Sequence, residues 1–200
     1  MAEILKNLID EISKLPTIGR KSAEKIAFHV LESSDDEARN LIKSLIEAKK
    51  RIRRCKECGN YSEGDFCKIC SSNKRDKSII CIVKSPKDVL AIERSKAYSG
   101  VYHILGGKLE PLKGTEIKDL NIDPLLRRLK RGNVKEILMA LDPDLEGETT
   151  VRYLSTLLKD YRVRISRIAR GIPMGGNLEH SDLETISQSI RHRFRIEEKQ

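Results

Sequence analysis

The chain has 200 residues, 38% hydrophobic and 34% charged, with 39 basic against 30 acidic side chains and a formal net charge of +9. This is the make-up of one or two compact domains plus a small module. It is not that of a membrane protein, because no apolar run approaches the roughly 18 residues needed to cross a bilayer. The positive balance favours a polyanionic partner, while the absence of Trp and the presence of only five Tyr and three Phe argue against a surface that stacks successive unpaired bases.

If nucleic acid is the ligand, phosphate contacts dominate and sequence preference is weak. The opening Met-Ala-Glu-Ile-Leu-Lys lacks the basic start, apolar stretch and small-residue site of a signal peptide, so a cytoplasmic protein is expected. Five cysteines in that compartment point to thiolates on a metal, plus one spare, rather than a disulfide framework.

Leu5, Leu8, Ile9, Ile12 and Leu15 recur at helical spacing and predict an amphipathic helix over 3–14, stopped by Pro16. Ala23, Ile26, Ala27 and Val30 mark the inner face of a second helix. The short turn between them ends in Gly19, which can take a positive φ at little cost. A third helix begins near Ser34, where Ser34 and Glu37 form a capping box and Asp35 and Asp36 suit the helix dipole. Leu41, Ile42, Leu45 and Ile46 are its expected buried stripe. It runs into Lys49, Lys50, Arg51, Arg53 and Arg54, a basic cluster that is either a solvated face or a DNA contact.

Cys55-Lys-Glu-Cys58 and Cys67-Lys-Ile-Cys70 follow. Two Cys-x-x-Cys knuckles this close predict one tetrahedral Zn²⁺ per chain, bound by Cys55, Cys58, Cys67 and Cys70. Two disulfides, or cysteines that are merely buried, are the alternatives. Gly59, Asn60, Gly64 and Asp65 supply turns. So few apolar residues lie between the cysteines that metal binding would largely drive folding of the segment.

Beyond it the pattern becomes α/β. Strands are predicted over 79–83, 101–105, 136–141 and 163–168, alternating with helices that start at Ser85-Pro86, Asp123-Pro124 and Glu146, with a loop over 108–122. The alternation implies βαβ units and a mainly parallel sheet. Cys81 lies inside the first apolar run and reads as a small core residue. Asp142, Asp144 and Glu146 follow the third strand, where such sheets bind ligands. They are candidate Mg²⁺ ligands or helix caps worth about 1 kcal/mol. No phosphate-binding loop of the Gly-x-x-x-x-Gly-Lys-Ser/Thr kind occurs. Residues 167–180 are turn-rich, a final helix over 181–193 carries Leu183, Ile186 and Ile190 on one face, and the charged tail after it is expected to be disordered.

Three resemblances emerge. Leu15-Pro-Thr-Ile-Gly-Arg-Lys-Ser-Ala23 resembles the helix-hairpin-helix motif, usually Leu-Pro-Gly-Ile-Gly, with Thr17 where its first Gly stands. That motif turns the amides at the start of its second helix toward a DNA phosphate, and Arg20, Lys21 and Lys25 would add charge there. Asp142-Pro-Asp144 resembles the Asp-x-Asp of Toprim domains, whose enzymes also use a Glu at the end of the first strand; Lys84 occupies that place.

The order of parts, with Ser85-Pro-Lys-Asp-Val-Leu-Ala-Ile, Tyr102-His-Ile-Leu-Gly-Gly107 and Ala169-Arg-Gly-Ile-Pro-Met-Gly-Gly176-Asn-Leu-Glu, resembles the RecR family of bacterial recombination mediators. Lys84 departs from that family too. The resemblance implies a helix-hairpin-helix DNA-binding domain (1–54), a four-cysteine zinc finger (55–76), a Toprim-like domain (77–170) and a C-terminal segment and helix for oligomer contacts (171–200). It further implies a non-enzymatic protein of DNA repair, a dimer or ring-shaped tetramer acting with RecO and RecF to load RecA onto single-stranded gaps. In it Asp142, Asp144 and Glu146 would form a docking edge. A Mg²⁺-dependent Toprim enzyme using those three residues is the alternative.

Overall fold

The computed structural model describes residues 1–194, apart from the side chain of Leu112; the charged tail predicted after the last helix lies mainly outside this range. The chain divides into two compact units, 1–52 and 53 onward, each described by itself.

In the first unit α1 spans Glu3–Ser13, α2 Arg20–Glu32 and α3 Asp35–Arg51. Ile9 of α1 packs on Ala23 and Ala27 of α2, with Leu5, Leu8, Ile12 and Ile18 around them. Two alanines on α2 let the helix backbones approach closely, so a small core suffices. The capping box forms as expected: the Ser34 N–H donates to the Glu37 carboxylate over 3.0 Å and the Glu37 N–H to the Ser34 hydroxyl over 3.3 Å.

The turn takes its positive φ elsewhere than at its glycine, and two expectations of burial need correction. Gly19 is extended, with φ −79°, and the positive φ falls on Thr17, at 69°. The Ile18 N–H donates to the Leu15 carbonyl over 3.1 Å. This closes a four-residue turn with Pro16 second and Thr17 third, and the third place of a type II turn requires φ > 0. Ile26 is partly exposed rather than buried. Leu41, Ile42, Leu45 and Ile46 are 48–63% exposed, and α3 buries none of its residues.

The second unit opens with a two-stranded antiparallel ribbon, β1 (Arg53–Arg54) and β2 (Tyr61–Ser62), followed by the short α4 (Lys68–Ser71). Then come β3 (Asp76–Val83), α5 (Pro86–Ser95), β4 (Gly100–Ile104), α6 (Asp123–Lys130), β5 (Glu136–Ala140), α7 (Leu145–Leu157), β6 (Arg164–Arg167) and α8 (Leu183–Arg191). The strands form one parallel sheet in the order β4-β3-β5-β6.

The central strands are apolar on both faces because helices cover both. Ile80, Ile82, Ile137 and Met139 meet Leu125, Leu129, Leu154 and Leu158 of α6 and α7 and its C-terminal turn, whereas Cys81, Val83, Tyr102 and Ile104 meet Val89 of α5. The predicted loop 108–122 contains two short 3₁₀ turns, Pro111–Lys113 and Ile117–Asp119. On α8, Leu183 and Ile190 are exposed. Among the described residues no helix is long and apolar enough to cross a membrane.

Candidate functional site

Cys55, Cys58, Cys67 and Cys70 come together, with all four Sγ atoms within 4.8 Å of one another. None of the cysteines is in a disulfide. The Cys58 and Cys67 sulfurs are 3.6 Å apart, close to the roughly 3.8 Å that two thiolates at Zn–S distances of about 2.3 Å subtend in a tetrahedron. Backbone N–H groups already face the sulfurs: Asn60 N–H donates to Cys58 Sγ over 3.4 Å, and Cys67 N–H to Cys55 Sγ over 3.3 Å. Hydrogen bonds from Cys58 and Cys70 pull the Cys67 thiol far below its ordinary pKa, while the same contacts push Cys58 and Cys70 up. A soft, partly anionic tetrad of this size fits a zinc ion. Cys81 stays apart in the core, its thiol pushed up to about 12 by burial, which suits neither ligand nor nucleophile.

The first knuckle is fastened to the sheet. The Ile104 N–H donates to the Cys58 carbonyl over 2.8 Å, so the module covers the outer edge of β4. Gly59 sits at φ +79°, and a Cβ there would meet the Asn121 amide nitrogen at 2.9 Å. Glu57 pairs with Arg128 at 3.4 Å and Arg131 at 2.8 Å, and buried Arg128 also donates to the Tyr102 carbonyl over 2.7 Å. The sequence reading missed Glu57, Asn121 and Arg128, since nothing in local spacing pairs a knuckle with a helix some 70 residues on.

The basic positions of the first unit are exposed: Arg20, Lys21 and Lys25 on α2, and Lys49, Lys50 and Arg51 on α3. No side chain caps α2, and the first N–H groups of a helix have no partner within it, so that terminus can meet an anion. Arg20 is shared with Asp10 at 3.2 Å and Glu24 at 3.6 Å. In the second unit Arg53 is exposed. Arg54 is engaged locally, donating to the Gly59 carbonyl over 3.0 Å and lying 4.6 Å over the Tyr61 ring.

The acidic edge sits where β3 and β5 end side by side, Val83 opposite Ala140, at the point where strand order reverses and α/β sheets take ligands. Lys84 meets Asp142 there at 2.5 Å. Lys108, its side chain only 9% exposed, reaches Asp142 at 3.3 Å and bonds Asp144. Burial works against the Lys108 charge, but its bonds to Asp144 and Asp142 outweigh that and hold its pKa up. Lys84 holds the Asp142 carboxyl below its usual range, and Lys108 does the same for Asp144.

Asp144 also caps α7, accepting from the Gly147 N–H over 2.8 Å. Glu148 pairs with Arg167 and Arg170, while Glu146 is not among the partners of either lysine. Two ammonium groups thus stand where a Mg²⁺ ion was considered. Among the described residues the four cysteines form the one cluster with metal-ligand spacing. Lys108 carried no motif that could have announced it; Glu148 and Arg170 stand in the acidic and turn-rich stretches, but nothing in local spacing pairs them.

The family model for the RecR helix-hairpin-helix matches residues 5–49, that for the RecR four-cysteine zinc finger domain 52–72, that for the Toprim domain 78–169 and that for the RecR C-terminal region 171–193. The recombination protein RecR of Acidothermus cellulolyticus is 45% identical over 97% of this chain and 98% of its own length. Those of Streptomyces avermitilis and Bifidobacterium longum are 43% and 44% identical, over 95% and 94% of this chain and 96% and 94% of theirs. The chain belongs to the RecR family of recombination proteins.

Proposed function

We propose that the chain is a non-catalytic DNA-binding mediator of recombinational repair, assembled as a dimer or ring tetramer in the cytoplasm. It acts with RecO and RecF to help load RecA onto single-stranded gaps. Cys55, Cys58, Cys67 and Cys70 hold one Zn²⁺, which ties the two knuckles into a rigid turn. The helix-hairpin-helix domain (1–54) meets phosphates through the amino end of α2 with Arg20, Lys21 and Lys25. Lys49, Lys50, Arg51 and Arg53 add positive charge, whereas Arg54 serves chiefly to brace Tyr61. The zinc finger (55–76) and Toprim-like domain (77–170) form the partner-facing part, and 171–200 joins neighbouring subunits.

The observation that carries the non-catalytic reading is the pairing of Asp142 and Asp144 with Lys84 and Lys108. Carboxylates committed to ammonium groups are poor ligands for the metal that Toprim phosphoryl chemistry needs. The same neutralisation means that docking at Asp142, Asp144 and Glu146 depends on shape and hydrogen bonds more than on net negative charge. Zinc content, DNA affinity against salt, and nicking of supercoiled DNA with Mg²⁺ test the reading. Bound zinc, affinity that falls steeply with salt and no nicking are expected. Changing Arg20 and Lys21 together to Ala should weaken binding to all sequences alike. Mg²⁺-dependent nicking abolished by Asp144→Ala would instead establish the Toprim-enzyme alternative.

A further inference from the structure

An open cavity of about 360 Å³ lies between the zinc module and the sheet, with Phe66, Lys77, Arg128, Arg131, Asn133 and Glu57 in its walls. Its volume falls in the range of roughly 300–1,000 Å³ typical of pockets for small organic groups. Phe66 is 55% exposed, although a phenyl ring has no polar atom to justify contact with water. It directly precedes Cys67, so the metal-held turn fixes its backbone.

Lys77 is exposed and has no ion-pair partner among the described residues. The Arg131 side chain is 61% exposed and shares the single carboxylate of Glu57 with Arg128, which leaves the walls net positive. Asn133 offers an amide able both to donate and to accept. A lone aromatic ring with cations and an amide in the same cavity is the chemistry that recognises an unpaired base and its flanking phosphates. An acidic peptide would use the cations but leave the phenyl ring uncovered. The scarcity of aromatics that argues against stacking a run of bases is no obstacle to holding one.

We propose that this cavity takes one unpaired base of single-stranded DNA, stacked on Phe66, with Lys77 and Arg131 on the neighbouring phosphates. The inference rests on the DNA-binding reading above and adds a preference for single strands, which phosphate contacts at a helical hairpin do not supply.

Fluorescence anisotropy of the full chain with an oligothymidylate, the same oligomer carrying abasic sites, and a duplex of equal length provides the test. Phe66→Leu keeps apolar bulk but removes the π face. It should lower single-strand affinity roughly tenfold and leave duplex affinity unchanged, and the parent should bind the abasic strand about as weakly as the variant binds the intact one. Equal zinc content in parent and variant verifies that the module is folded. Should the variant lose zinc, Lys77→Ala, on β3 and outside the module, should cut the salt slope for single strands by about one. Photo-cross-linking of an iodouracil oligomer should label the peptide containing Phe66.

Unchanged single-strand affinity in zinc-replete Phe66→Leu overturns the proposal, as does competition by polyglutamate as strong as by oligothymidylate. If the parent binds neither strand form, the DNA reading itself fails. Binding of both strand forms by the parent, with single-strand affinity unchanged in zinc-replete Phe66→Leu, removes the cavity alone.

Discussion

The Ile104 N–H donates to the Cys58 carbonyl over 2.8 Å, which makes the first cysteine knuckle the outermost partner of the sheet. β4 pairs with β3 on its other side only, so without this bond its edge would present unpaired groups. Stripping zinc with a chelator, or changing Cys58 to Ser, should therefore do more than unfold a short module. Amide exchange at Ile104 should accelerate by on the order of tenfold or more, while amides of β5, in the middle of the sheet, change far less. Uniform acceleration across all strands would mean that the edge bond is incidental and that the domain unfolds as a whole.

The buried ammonium of Lys108 makes a second stability test. Asp142 and Asp144 have folded pKa values below their ordinary range. Their ion pairs thus stabilise the fold above about pH 4 and are lost as pH falls through the folded values. The Lys108 pKa is raised, so its contribution is intact at neutral pH and disappears only at strongly alkaline pH. Fully buried pairs lose about 3–5 kcal/mol when one partner is removed. The two aspartate side chains are 45% exposed, and solvent screening lowers the expectation for Lys108→Met to roughly 1–2 kcal/mol at pH 7. Urea titrations at pH 7 and pH 3 should show the gap between parent and variant narrowing in acid. A gap independent of pH would assign the loss to packing of the lysine stem.

Much of this was legible in the sequence, because the signals were local. The cysteine spacing announced the tetrad, Ser34 and Glu37 the start of α3, and the apolar run 79–83 a strand covered on both faces. What sequence could not reveal depended on distant pairing or on what covers a helix. Lys108 carries no motif, yet the chain returns it to the ends of β3 and β5. Leu41, Ile42, Leu45 and Ile46 have the periodicity of a buried stripe, and periodicity says that a face is apolar without saying whether this chain or another buries it. The positive φ at Thr17 rather than Gly19 has a different source. The turn chemistry of Pro16 was available, and a proline second in the turn puts the positive φ on the next residue, Thr17.

Thr17 is accordingly a strained site. A β-branched residue in the left-handed region costs about 1–2 kcal/mol, and a glycine there gives back roughly 0.5–1 kcal/mol through the entropy of the unfolded chain. Thr17→Gly should raise stability by a net ~0.5–1 kcal/mol, read from urea titrations of the first unit's helical signal within the full chain. Thr17→Val, which keeps the branch, should bring no gain. Destabilisation by glycine would show that the threonine makes a compensating contact.

The apolar stripe of α3 bears on assembly. Leu41, Ile42, Leu45 and Ile46 are 52%, 56%, 63% and 48% exposed and share one helical face by their spacing. A continuous exposed apolar face of this kind marks a protein contact, and a second copy of the chain is the occupant that the oligomeric reading calls for. Leu45→Glu places a charge in the middle of that face, where it would be desolvated on association. The particle mass measured by light scattering should fall to that of a smaller species, while helical circular dichroism stays unchanged, because α3 buries none of its residues within the chain. DNA affinity should drop as well, although no basic residue has been altered. Linked sites gain avidity by as much as roughly 10²–10⁴ without new contacts, and splitting the assembly forfeits that gain. An unaltered mass with Leu45→Glu would move the subunit contact to another surface and leave the stripe for a different protein.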